Sequence, residues 1–125
     1  MVWHFKLLQY CLFQALYIQD NKLKQLPNSI GSLKNLQTLN ISGNCLKELP
    51  LSMSGLVSLK TLDVRNNPKL KRIPKEIAQL CGLETLLLDE KHINDPYSEI
   101  VSKGTEAIMR FLCSGISFLT INCLQ

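Results

Sequence analysis

Between Leu36 and Pro50 the chain reads LQTLNISGNCLKELP. Apolar residues first alternate at Leu39 and Ile41, the period of a half-buried strand. The spacing then opens to three residues at Leu46 and Leu49, just before the proline. Neither a strand nor a helix has that mixed rhythm, but the whole pattern returns when the chain is laid against itself. Phe13, Leu36, Leu59 and Leu83 fall in one column, with steps of 23, 23 and 24 residues. Beneath them fall Leu16, Leu39, Leu62 and Leu86, then Ile18, Ile41, Val64 and Leu88. Asn21, Asn44 and Asn67 make the next column, followed by Leu23, Leu46 and Leu70. Leu26-Pro27, Leu49-Pro50 and Ile73-Pro74 come next, and Ile30, Met53 and Ile77 lie three residues past each proline. Leu33, Leu56 and Leu80 complete the unit.

Written as LxxLxLxxNxLxxLPxxIxxLxxL, this unit is that of a leucine-rich repeat, whose period runs from about 20 to 29 residues. The alternating part predicts a short strand whose inward leucines stack on those of neighbouring turns. The Asn lies where the chain bends away, and its amide can pair backbone groups that the bend would bury unsatisfied. Pro starts the return leg, where three-residue spacing brings each aliphatic to the core on a loose helical turn. One unit cannot close its own core, so stacking is obligatory. The fold class predicted is α/β, a leucine-rich repeat solenoid. It is a short horseshoe with parallel strands on the concave face and a helical cap at the C-terminal end.

The columns also divide the chain. Projected back by one period, they put Trp3, His4, Leu7, Tyr10 and Phe13 at repeat positions, with Trp3 in the core and His4 at its rim. Residues 1–12 then read as the second half of a truncated repeat, and 13–95 as about three full repeats plus a terminal one. The third turn carries an extra residue in NNPKL, expected to bulge at the rim around Pro68 or Lys69, where an insertion costs little. In the fourth turn Lys91 replaces the Asn, as in a last repeat before a cap. Tyr97 to Ser102 predict a short helix stopped by Gly104, with Thr105 capping a second helix from about Glu106 to Cys113. Ala107, Ile108, Phe111 and Leu112 form its apolar face. Residues 96–113 are thus the cap, and 114–125 an apolar tail that fits no column. Both ends break a unit, which predicts either a fragment or an alternative product.

Composition narrows the function. Hydrophobic residues are 46% of the chain and aromatics only 6%, so leucine must supply most of the core. The net charge of +4 is mild, and apart from KLKR at 69–72 the cations are scattered along the sequence, which argues against a nucleic-acid patch. No apolar run approaches the roughly 18 residues of a spanning helix, so membrane insertion is not expected. Five cysteines, with no CxxC and no His at ligand spacing, predict reduced thiols and a cytoplasmic location. Cys11, Cys81 and Cys113 fit apolar or partly buried places, and Cys45 the rim. There is no phosphate loop and no GxSxG motif. His4 and His92 are far apart in the ladder, and Asp89 and Glu90, as strand neighbours, point to opposite faces. No catalytic residue, no metal ligand set and no cofactor is expected; the chain reads as a non-enzyme.

Surface remains. Three stripes of outward strand residues line the concave face: Ala15, Thr38, Thr61 and Thr85; Tyr17, Asn40, Asp63 and Leu87; Gln19, Ser42, Arg65 and Asp89. Tyr17, Gln19, Asn40, Ser42, Asp63, Arg65, Leu87 and Asp89 are the candidate binding residues for another protein, with Arg65 and Asp89 placed to pair across adjacent strands. Asn21, Asn44 and Asn67 are the structural column.

The post-leucine prolines resemble the intracellular leucine-rich repeats of Ras-pathway scaffolds over residues 3–88. Read together, DNKLKQLPNSIGSLKNLQTLNISGNCLKELP, LETLLLD and GTEAIMRFLC resemble more closely the repeat domain and flank of the leucine-rich-repeat and sterile-alpha-motif RING-type ubiquitin ligases. That family has Tyr-Pro-Pro where this chain has Asp95, Pro96 and Tyr97, and a polar segment where an apolar tail follows Cys113. The RING that carries ligase activity has no counterpart here. The resemblance implies a substrate- or partner-recognition arm in the ubiquitination pathway, with endosomal-sorting components or bacterial surfaces as targets. The alternative is a scaffold in Ras-type small-GTPase signalling.

Overall fold

The computed structural model describes residues 13–89, 91 and 98–114. Among them, four three-residue strands form one parallel sheet in chain order: β1 (Ala15–Tyr17), β2 (Thr38–Asn40), β3 (Thr61–Asp63) and β4 (Thr85–Leu87). The register sets Leu16, Leu39, Leu62 and Leu86 side by side. Leu39 and Leu62 are wholly excluded from solvent, and Leu86 nearly so. The fold is the expected leucine-rich repeat solenoid with a helix at its C-terminal end.

The three-residue spacing of the return leg has a definite geometry. Asn28–Ser32, Leu51–Gly55 and Lys75–Gln79 are 3₁₀ segments. At three residues per turn, positions three apart eclipse one another. Ile30 and Leu33, Met53 and Leu56, and Ile77 and Leu80 therefore enter the core together, and all six are buried. Pro27, Pro50 and Pro74 precede the segments in extended conformation, with ψ of 148°, 141° and 144°. A proline suits that point because its φ is already near −65° and it has no N–H to leave unpaired where the turn opens.

Three successive bends between strand and return leg pass through a left-handed residue: Asp20 and Asn66 at φ 58°, Gly43 at φ 68°. Asp and Asn tolerate this region better than other side-chain-bearing residues. At Gly43 a side chain is also barred by space, because a Cβ would lie 2.3 Å from Asp20 Oδ1. The Asn column then ties turn to turn. Asn44 Nδ2 donates to the carbonyls of Ile41 and Ser42 in its own turn and of Ile18 in the turn before, at 3.0–3.1 Å, while Oδ1 accepts Leu23 N–H. Asn67 repeats the pattern one turn on, donating to Val64, Arg65 and Ile41 and accepting from Leu46. Asn21 donates to Ile18 and Gln19.

The extra residue of the third turn is exposed at Pro68 and Lys69, and Leu70 N–H closes the bulge on the Asn67 carbonyl at 3.0 Å. Register between β3 and β4 passes over it unbroken. At the C-terminal end a 3₁₀ segment (Ser98–Lys103) leads through Gly104, at φ 97°, into helix α1 (Thr105–Ser114). Helix α1 packs on the third 3₁₀ segment and on β4. Ile100, Ile108 and Leu112 join the core, with Ala107 and Phe111 packed against it. The capping role expected of Thr105 is corrected. It is the first residue of α1, and its hydroxyl accepts Leu86 N–H of β4 at 2.9 Å. The N–H groups of Ile18, Ile41 and Val64 point to the following strand. Leu86, two residues before the next place in that column, has no following strand among the described residues, and the helix supplies the missing acceptor. Trp3, His4, the truncated first repeat, Asp95 to Tyr97 and the tail beyond Ser114 lie outside the described residues.

Candidate functional site

Side chains alternate across a strand, so the residues flanking each buried leucine face the inner side of the sheet. The register aligns Ala15, Thr38, Thr61 and Thr85 in one row and Tyr17, Asn40, Asp63 and Leu87 in the next. Gln19, Ser42, Arg65 and Asp89 follow two residues on. Tyr17 is 62% exposed and is the large apolar side chain of this face most open to solvent. Gln19 and Arg65 are also exposed, whereas Asn40, Ser42, Leu87 and Asp89 are half-buried.

Two of these positions are locked by the same device. A short polar side chain at the strand end accepts the N–H two residues on, an Asx-type bond. Asn40 Oδ1 takes Ser42 N–H at 3.1 Å and the Ser42 hydroxyl at 2.7 Å. Asp63 Oδ1 takes Arg65 N–H at 3.1 Å and its Nε–H at 3.0 Å, while Oδ2 takes Nη2–H at 2.9 Å. A two-pronged guanidinium contact is the strongest form of such a pair, and it meets the cost of burying Asp63, which is 6% exposed. The guanidinium is held above its ordinary pKa by the hydrogen bonds to Asp63, then by that carboxylate's charge, with a smaller attraction from Asp89. Arg65 is thus a fixed cation on the inner face.

The expected Arg65–Asp89 pairing is corrected accordingly: Asp63, two residues back in the arginine's own turn, reaches it first. Asp89 has another task. Asp20 N–H donates to Ser42 O and Gly43 N–H to Arg65 O, each in the following turn. At the third bend Asn66 N–H donates to the Asp89 carboxylate at 2.8 Å instead. A side chain has replaced the backbone acceptor at the end of that ladder.

Other chemistry is sparse. Among the described residues no group of three or more His, Cys, Asp or Glu side chains is placed to hold a metal. Cys45 is half-buried, but Cys81 and Cys113 are exposed thiols, contrary to the apolar places expected for them. Cys81 follows the third 3₁₀ segment on its outer side, and Cys113 lies one step round α1 from the buried Leu112. His92 and Glu90 lie outside the described residues.

Sequence reasoning missed two features of this region. The left-handed column Asp20, Gly43 and Asn66 was visible as three residue types that share a tolerance for positive φ. The Thr105 contact had no such signal, because it joins positions 19 apart in different elements.

Residues 6–103 match the family described as leucine-rich repeat region, and the chain belongs to it. Among solved structures, a leucine-rich repeat protein of Leptospira interrogans is similar, at 37% identity and a TM-score of 0.65. That match covers 84% of this chain and 24% of the other, so this chain spans about a quarter of that protein's length. Repeat domains of this kind are in general binding modules that present an extended surface to other proteins, not catalysts. Among the described residues no helix is long and apolar enough to cross a membrane.

Proposed function

We propose that the inner face of the sheet is a non-catalytic recognition surface for another protein, centred on Tyr17, Asn40, Ser42, Asp63, Arg65 and Leu87. The observation that carries this reading is the combination of an exposed aromatic side chain with polar groups already fixed by hydrogen bonds. A partner bound there would pay little entropy to order Ser42 and Arg65, and Tyr and Arg are the residue types that most often dominate interfaces. Gln19 and Asp89 flank the centre. The reading requires no cofactor and no nucleic acid.

The resemblance of residues 83–113 to the flank of the sterile-alpha-motif RING-type ubiquitin ligases supports a finer version. In it the domain is the target-recognition arm of such a ligase and works in the cytoplasm, on endosomal-sorting components or bacterial surfaces. Affinity capture with the intact chain, compared with Tyr17→Ala, Arg65→Ala and the outer-face variant Val57→Ala, tests both levels. Partners lost with the two inner-face changes and kept with Val57→Ala support inner-face recognition; equal retention by all three overturns it. Small GTPases among the lost partners would move the assignment to a signalling scaffold. Incubation with ubiquitin and its activating and conjugating enzymes is expected to give no chains, and robust transfer would end the non-catalytic reading.

A further inference from the structure

The scattered cations of the sequence are not scattered in space. Between the Asn and the Pro of each turn the chain runs along one edge of the solenoid, beside the strand ends. There Leu23, Leu46 and Leu70 face inward, and the residues on either side of them are exposed except the half-buried Cys45. Lys24, Lys47 and Lys71 occupy the same position in three successive turns, and all three are exposed. Lys22, Lys69 and Arg72 are exposed on the same edge, with Glu48 as its carboxylate. Of the 14 Lys and Arg and 10 Asp and Glu in the chain, this edge holds six cations and one carboxylate, so the rest is close to neutral. Three cations off the edge are engaged: Lys34 on the Gly55 carbonyl, Arg65 on Asp63 and Arg110 on Glu106. Among the described residues none of the six on the edge has a hydrogen bond or an ion pair.

We infer that this edge is a second interaction surface, distinct from the inner face, and that its occupant is an acidic, extended polypeptide segment. Successive turns stand about 4.8 Å apart, so Lys24, Lys47 and Lys71 span about 10 Å. An extended chain presents same-side residues every ~6.7 Å, so two or three carboxylates, with flexible arms on both sides, cover the ladder. A single-stranded nucleic acid would want aromatic platforms between the cations, and the edge carries none. The ions are mostly lysine ammonium groups, point charges without the planar fork that suits phosphate, which again favours carboxylates spread along a chain. The edge adjoins the exits of the strands, so a partner docked on the inner face can lay such a segment over it and be steered there by charge.

The test is fluorescence anisotropy on a labelled peptide of roughly ten residues rich in Asp and Glu, at a length set by the ~10 Å span. Lys24→Glu/Lys47→Glu/Lys71→Glu should weaken binding by about tenfold or more, and raising salt from roughly 50 to 200 mM should do likewise. A control of equal charge change off the edge, Lys34→Glu/Lys60→Glu/Lys75→Glu, should keep most of the affinity; all six positions are exposed. Equal loss in both triple variants would reduce the effect to net charge and overturn the proposal. So would tighter binding of an oligothymidylate or of phosphatidylserine vesicles than of the peptide. Tyr17→Ala and Arg65→Ala should leave peptide binding unchanged, which separates failure here from failure of the inner-face reading. Circular dichroism on each variant checks that the repeats remain folded.

Discussion

The middle of the ladder and its C-terminal end solve one problem by different means. In the middle, every turn has a neighbour on both sides, and Asn44 or Asn67 completes the bend with a four-way set of bonds that also stitches two turns together. At the end, where Lys91 stands in the Asn place, completion passes to side chains of other origin. Thr105 receives the open N–H of β4, and Asp89 receives the N–H that a further backbone carbonyl would otherwise take. The repeating part is general and redundant; the terminal part is particular, with single bonds from single residues. Stability should therefore be spread evenly through the core and thin out at the helix.

The largest effect should come from emptying the middle. Leu39→Ala should cost about 2–5 kcal/mol in urea or thermal unfolding, because Leu39 is fully enclosed by neighbours on both sides. Leu86→Ala should fall toward the low end of that range, since α1 covers it from one side and can settle into part of the space. A Leu86 variant costing clearly more than the Leu39 variant would invert the comparison. Next comes Asn67→Ala, at about 1–3 kcal/mol, from the backbone groups it leaves buried and unpaired. Thr105→Val keeps the shape of the side chain and removes one acceptor, so about 1 kcal/mol is expected. Hydrogen exchange should show it directly, as faster exchange of the Leu86 amide with the Leu39 amide unaffected. Smallest is Glu106→Gln, which breaks the Glu106–Arg110 pair one turn apart on the exposed side of α1. A loss under about 0.5 kcal/mol is expected for a pair of that kind.

The repeating part was legible in the sequence because its constraints recur. A buried leucine, a bend-filling Asn and a helix-opening Pro each return in register, so position along the chain maps onto position in the core. Positive φ at Asp20, Gly43 and Asn66 was legible in principle, as a column of residues that tolerate it. The rest depended on contacts that no period reports. Arg65 chose Asp63 over Asp89 because a step of two residues from the end of β3 to the arginine already brings the groups within reach. Cys81 and Cys113 are exposed because they fall one step beyond the buried Leu80 and Leu112, a difference that local hydrophobicity does not mark. The lysine ladder lay in plain sight in KLK, LK and KLK, yet became a surface only when the turns were stacked.

The bulge at Pro68 and Lys69 has a practical consequence. Because strand pairing continues past it without slippage, that loop tolerates length where other positions are pinned on both sides. A short epitope or a fluorophore-bearing residue placed between those two would report on the domain from outside, leaving the interior stack untouched.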